Sequence, residues 1–528
     1  MYHPIFSRQG LRVKASSAYA RITLNRFTTA FFLFSFIYCF IQGIIQSLLY
    51  SADFEYSTLI SGIVSQAEIP FQNLTYLEGS AGKLILRMCD DIPHGQAIYP
   101  CFPIFNSTAD SPKYNGSSAQ MTPPQLLQGW ENGLSVTKEF DPLNTTEVTS
   151  LTLGLADATE VKLSKQCTQI LVYPSQILRN MRREDISWIC LQFWLLAISF
   201  IAILNDSVPH ILAVLMTRAL STGWAMYAIW RAPYFRDNFQ ELLADPGTPC
   251  SIDVFSAFWE KRQGFEIADL ILSTTGLVFF SYLSWTLLKI YNGQSFKCVG
   301  APDHVMRIHK FFMAVLACLQ LEAFVLVTGM GLWTDVLMNT AIAKISAHTT
   351  IYQALFIFTT IFLIPWIVMG WYSIRREMKK MMVFFLAIGF CIISGWAIMF
   401  YSIVYRWSFM QWPFLGCFTV ASFILLISSM TLGVVCRVNF GKGLAQYLHA
   451  ESTLASLNFS PDAFAHKTNS MRMSKDSTGD TGDYLGSTMY FVQTLPKAAD
   501  NTTPSKLESE GVPRPYSPKE ERSFFNDF

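Results

Sequence analysis

Between Phe27 and Cys436 the chain carries about eight apolar stretches long enough to cross a bilayer, and nothing else constrains its fold as strongly. A helix of roughly 20 apolar residues spans a hydrocarbon core about 30 Å thick. Inside that core the backbone must satisfy its own hydrogen bonds, so only helices and closed barrels cross it. The stretches fall at residues 27–50, 187–204, 211–230, 267–290, 311–333, 351–372, 381–405 and 413–436. The expected fold is an α-helical polytopic membrane protein of about eight transmembrane helices, laid out as one plus seven. It would add a small β-rich lumenal or extracellular domain and a disordered cytosolic tail. Hydrophobic residues make up 51% of the chain and charged residues 15%, which suits a chain whose main solvent is lipid. The net charge of +1 leaves no basic excess for nucleic acid.

Basic residues in the short flanks set the expected orientation. Residues 1–26 hold Arg8, Arg12, Lys14, Arg21 and Arg26 without an acid, which predicts a cytosolic arm. Residues 27–50 read as an uncleaved signal anchor, because the apolar run is long and no small-residue cleavage site follows it. Eight spans then put Lys289, Lys297, Arg307 and Lys310, and later Arg375, Arg376, Lys379 and Lys380, on the same side. Both termini are therefore expected in the cytosol. Residues 187–436 form the expected seven-helix bundle, 437–460 a juxtamembrane amphipathic segment, and 461–528 a disordered tail.

Residues 51–186 are the expected ectodomain. They contain four N-glycosylation sequons, at Asn73, Asn106, Asn115 and Asn144, which agrees with a lumenal or extracellular placement. Residues 148–173 alternate apolar and polar side chains, as strands do. Cys89, Cys101, Cys167 and Cys250 face the oxidising side in this scheme, and four cysteines allow three pairings. The short interval favours a Cys89–Cys101 loop, which leaves Cys167 and Cys250 to tie the ectodomain to the loop after the third span. One bridge with two free thiols is the other arrangement. Cys436, beside the membrane, is a candidate palmitoylation site.

Ionisable residues inside spans are costly and mark candidate sites. Arg218 and Glu322 each lie about nine to eleven residues past a cytosolic end, roughly 14 to 17 Å deep at 1.5 Å per residue. Equal depth and opposite charge predict an intramembrane Arg218–Glu322 pair with Gln320 assisting. Such a pair serves either as a midplane transport site or as a register lock without a solute. Asp269 and Asp335 lie near outer helix ends and are expected to be solvated or capping. Pro365, within its span, frees a backbone carbonyl and is a hinge candidate.

No HExxH, GxSxG or P-loop motif occurs, and none of the eight His lies well inside a span. The sequence therefore predicts no enzyme, catalytic residue, cofactor or metal. Asp206 and His210, in a tight turn, read as cap and interfacial residues. In the tail, Thr503 and Ser517 each precede proline and are candidate phosphorylation sites.

The layout of one span, a glycosylated ectodomain and seven further spans resembles the Wntless-like trafficking proteins in architecture. Residues 438–448 (VNFGKGLAQYL) and 222–230 (TGWAMYAIW) resemble uncharacterised multi-pass proteins of basidiomycete fungi. The resulting expectation is a non-enzymatic receptor-like, sensing or cargo-handling protein of the plasma membrane or a secretory-pathway membrane. Its partners would be the lipid bilayer, a lumenal or extracellular ligand of unknown identity, and cytosolic tail-binding proteins, with no nucleic acid. The alternative is a secondary transporter or channel using Arg218 and Glu322.

Overall fold

The computed structural model describes residues 16, 18–69, 74–93, 100–108, 125–127, 130, 133–140, 148–155, 160–295, 303–342 and 349–442. Asn73, Asn115, Asn144, Thr503, Ser517 and residues 461–528 lie outside the described residues, as does most of 437–460.

Among the described residues, eight helices are long and apolar enough to cross a membrane. They are α1 (Arg26–Gln66), α3 (Val172–Leu204), α4 (Val208–Phe239), α5 (Ser256–Ser295), α6 (Asp303–Asn339), α7 (Thr349–Arg375), α8 (Lys379–Met399) and α10 (Pro413–Asn439). Short α2 (Lys165–Ile170) leads into α3, and α9 (Ile403–Gln411) precedes α10. Large apolar side chains such as Phe358, Ile361, Phe362 and Ile364 on α7 face outward, as lipid contact requires. Pro365 lies within α7, which continues past it to Arg375. Pro233 likewise sits inside α4.

Asn25 starts α1 with a reciprocal cap. Its side chain accepts from the Phe27 amide at 3.2 Å, and Thr28 Oγ1 accepts from the Asn25 amide at 3.2 Å. The helix then runs for 41 residues, roughly 60 Å at 1.5 Å per residue and about twice a bilayer's hydrocarbon thickness. Residues 51–66 are therefore helix, and α3 begins at Val172, so both ends of the expected β-rich segment are helical.

Between those helical ends lie three small sheets. Strands β1 (Leu74–Ser80), β2 (Lys83–Cys89) and β3 (Cys101–Asn106) form one antiparallel sheet. β5 (Leu134–Phe140), β6 (Val148–Leu155) and β7 (Glu160–Ser164) form another. β4 (Gln125–Leu126) pairs in parallel with β8 (Ile252–Asp253) from the α4–α5 connection. Strand structure thus matches the alternating pattern only as far as Ser164, and the chain is helical from Lys165. Gly79 permits the β1–β2 turn: its φ is +107°, and a Cβ there would collide with the Lys83 carbonyl.

Both bridges of the two-disulfide arrangement are present. Cys89 and Cys101 face each other in the β2–β3 ladder with Cα atoms 4.0 Å apart. Cys167 on α2 joins Cys250 of the α4–α5 connection with a Cα separation of 4.8 Å.

The layout is not one helix beside seven. α1 packs along α3 and α5, and α4 packs on α5, which makes a first group of four helices. α6 packs on α7 and α10, and α8 packs on α7 and α10, which makes a second. α4 and α3 contact α6 and join the groups. The sheets are not a separate domain either. One apolar core unites Leu151, Leu153 and Leu163 of the β5–β7 sheet with Tyr56 and Ile60 of α1, Phe239 of α4 and Phe258 of α5. A second unites Leu74, Cys89 and Cys101 with Trp333 of α6 and Trp412.

Candidate functional site

α1 and α5 run antiparallel and carry matched polar residues. On α1 these are Gln42, Gln46 and Asp53, and on α5 they are Arg262, Glu266, Asp269 and Ser273. Their spacings place each set along one helical face. In this register Arg262 Nη1 donates to Asp53 Oδ1. Further along, Gln46 Nε2 donates to Asp269 Oδ1 at 2.7 Å, and Gln42 Nε2 donates to the same oxygen. Arg262 Nε also donates to Glu266 Oε1 at 2.9 Å, one turn away on its own helix.

α3 adds adjacent carboxyl groups to this interface. Glu184 accepts from Arg231 Nη2 of α4 and, at 2.9 Å, from Trp412 Nε1 just before α10. That indole links the two helix groups. Asp185 stands next to Asp53 of α1, so two buried carboxyl groups are neighbours here. Arg231 lies over the Trp224 ring at 5.1 Å and the Tyr227 ring at 5.5 Å, which further stabilises its charge.

These groups surround a cavity of about 40 Å³ whose lining includes Gln42, Gln46, Asp185, Trp188, Trp224 and Asp269. Five buried acids (Asp53, Glu184, Asp185, Glu266 and Asp269) stand at or next to it, against the guanidinium groups of Arg231 and Arg262. Among the described residues no group of His, Cys, Asp and Glu side chains is arranged to hold a metal ion. The arrangement supplies no nucleophile with a partnered base. Its chemistry is charge compensation and hydrogen-bond acceptance in a confined space.

Arg218 does not pair with Glu322. Its Nη1 donates to Gln192 Oε1 of α3 at 3.0 Å. The guanidinium carbon lies 4.1 Å from the centre of the Tyr38 ring and 4.6 Å from that of Phe280. Arg218 therefore belongs to the first helix group, held by an amide oxygen and two aromatic faces. Glu322 of α6 is fully buried near Ser429 of α10, whose hydroxyl donates to the Leu426 carbonyl, and neither Glu322 oxygen accepts a hydrogen bond from the described residues. Gln320 is half-buried and joins neither. Equal depth failed as a guide because depth fixes height along the bundle but not the direction a helix face points.

Other expected residues are also placed. Asp269 is buried and accepts from two glutamines rather than being solvated. Asp335 is only part-exposed and pairs with Arg183 rather than being merely solvated or capping. Asp206, at φ +46°, pairs with Arg21 at 3.3 Å, while Ser207 and His210 hydrogen-bond at 2.7 Å. Asn106 ends β3 half-buried, its Oδ1 accepting from the Thr108 amide and hydroxyl. Cys436 is fully buried in the core shared by α6, α7, α8 and α10, so its thiol is not presented for acylation.

The residues missed at the sequence level were Asp53, Glu184, Asp185, Arg231, Arg262 and Glu266, together with Gln42 and Gln46. The charged ones flank the apolar stretches, and the glutamines carry no charge. The signal that exposes them is their helical spacing on two neighbouring helices. No family model, curated protein or solved structure matches this chain.

Proposed function

We propose that this chain is a non-enzymatic integral membrane protein of the receptor-like or cargo-handling class, whose β layer meets a lumenal or extracellular ligand. In this reading the bundle responds to that ligand and the carboxyl-terminal tail recruits cytosolic partners. One observation carries the reading: the apolar core shared by the β5–β7 sheet and the ends of α1, α4 and α5, pinned by Cys167–Cys250. A ligand that shifts the sheet must shift the helices that line the polar cavity. The basic turn at Arg375, Arg376, Lys379 and Lys380 lies at the opposite end of the bundle and supports the orientation.

A second reading, a transporter or channel, is favoured by the acid-rich cavity itself, not by Arg218 and Glu322. Purified full-length protein in sealed vesicles separates the two. Vesicles with pH- and cation-sensitive dyes should report no flux above empty vesicles under imposed gradients. Sustained flux that disappears in Asp269→Asn overturns the receptor-like reading and establishes transport.

A further inference from the structure

We propose that the cavity between α1, α3, α4 and α5 is a binding site for one small monovalent cation, with sodium the first candidate. This inference goes beyond the receptor-like reading and stands independently of any ligand on the β layer.

The direction of the two glutamine amides is the starting point. Both Gln42 and Gln46 give their Nε2 hydrogens to Asp269, which as a carboxylate only accepts. That fixes each amide with its oxygen turned away from Asp269. Gln42 Oε1 and Gln46 Oε1 are buried and receive no hydrogen bond from the described residues. Asp185 Oδ2 and Asp53 Oδ2 have no donor either. The parent side chains are 3% (Gln42), 5% (Gln46), 0% (Asp53) and 3% (Asp185) exposed. Gln42, Gln46 and Asp185 line the cavity. Buried acceptors without donors are costly, by about 1 to 3 kcal/mol each in proteins generally.

Charge chooses the occupant. The five buried carboxyl groups outnumber the guanidinium groups of Arg231 and Arg262, even when Arg218, held beside the lining residues Gln192 and Tyr38, is counted with them. Water satisfies acceptors but leaves the surplus negative charge buried, which is expensive in a low-dielectric bundle. An added proton neutralises one carboxyl, and even on Asp269 its single O–H satisfies at most one of the two amide oxygens. A cation answers both demands. The cavity of about 40 Å³ exceeds the roughly 10–15 Å³ that one water needs, so an ion with one or two waters fits. A divalent metal fits poorly, because no set of carboxylates converges as ligands among the described residues. Trp188 and Trp224 also line the space.

The test uses full-length protein in detergent, with thermal unfolding followed while sodium chloride replaces choline chloride at constant ionic strength and pH. Parallel series use lithium, potassium and methylammonium. The expected result is a saturable rise in Tm of about 2 to 4 °C with sodium and none with choline. Equilibrium binding of radioactive sodium should approach one ion per chain. A shift with methylammonium but not sodium retains the site and assigns it to an organic ammonium group. Asp269→Asn and Gln46→Met should stay monodisperse and lose the shift. No saturable shift with any of these cations, or an equal shift in Asp269→Asn, overturns the proposal. Should both variants fail to fold, the wild-type titration and the ion count decide alone.

Discussion

Arg262 of α5 donates to Asp53 of α1 across the helix interface, with side chains only 6% and 0% exposed. The bond ties the first span into the bundle at the level where the β layer begins. It also sets the α1–α5 register, because the same face continues through Gln46 and Gln42 to Asp269. A slip of one turn would separate the guanidinium from its carboxylate and leave both buried.

Removing one member of that pair should therefore be severe. Arg262→Met strands Asp53 and Glu266 together, and breaking a buried pair generally costs about 3 to 5 kcal/mol. The double variant Asp53→Leu with Arg262→Met should recover only part of the loss, since Glu266 and Asp185 still lack the guanidinium. Thermal unfolding of the purified variants checks this. Full recovery would mean that Arg262 serves Asp53 alone.

Trp412 should matter more as a donor than as a ring. Its indole donates to Glu184 Oε1, while Arg231 donates to the other carboxylate oxygen, Oε2. Trp412→Phe keeps most of the aromatic volume but removes that donor, and about 1 to 3 kcal/mol should be lost. In a double-mutant cycle with Glu184→Gln the losses should not add, which unfolding measurements read directly.

Apolar length made the eight helices legible, and short spacing made Cys89–Cys101 legible. The polar interface was not legible, because each helix was judged by its apolar stretch and the helices extend well beyond those stretches. Asp53 and Arg262 lie outside residues 27–50 and 267–290, where charge is ordinary, yet neighbouring elements bury them. Arg218 and Glu322 were correctly singled out as costly, but one chain gives depth without azimuth. Their neighbours, Gln192 with Tyr38 for Arg218 and Ser429 for Glu322, are neutral and carry no charge signal.

Glu322→Gln should accordingly be mild. Among the described residues no cation pairs with Glu322, so a neutral amide of the same shape breaks no ion pair. Abundance and Tm should equal or exceed those of the unaltered protein. Exchanging the charges, Arg218→Glu with Glu322→Arg, should give no rescue over either single change. Rescue would require the direct pair that the structure lacks.

Asp206 offers a pH-dependent prediction outside the spans. Burial raises its carboxyl above the usual range, with Arg21 opposing the shift. A raised value contributes stability that is fully present below the unfolded-state value and is lost as pH rises through the folded-state value. At neutral pH ionised Asp206 thus works against the fold. Asparagine carries no charge and tolerates φ +46° well. Asp206→Asn should raise Tm at neutral pH, by a gain of at most about 0.5 kcal/mol. The gain should shrink as the medium is taken down towards about pH 4. A constant difference across that range would assign the gain to the backbone alone.

Gly276 should prove irreplaceable for a reason that reaches the cavity. A Cβ at this α5 position would overlap the Tyr38 ring of α1. Tyr38 in turn covers Arg218 and lines the cavity. Gly276→Ala must either push the ring off the guanidinium or part α1 from α5, and overpacking of this kind generally costs about 1 to 3 kcal/mol. Parting the helices also lengthens the Gln42 and Gln46 bonds to Asp269. The variant should therefore lose thermal stability together with the sodium-dependent rise in Tm. Gly223, where a Cβ meets nothing within 4 Å, supplies the control. Gly223→Ala should keep both stability and the sodium response. Equal behaviour of the two substitutions in the titration would separate α1–α5 contact from cation binding.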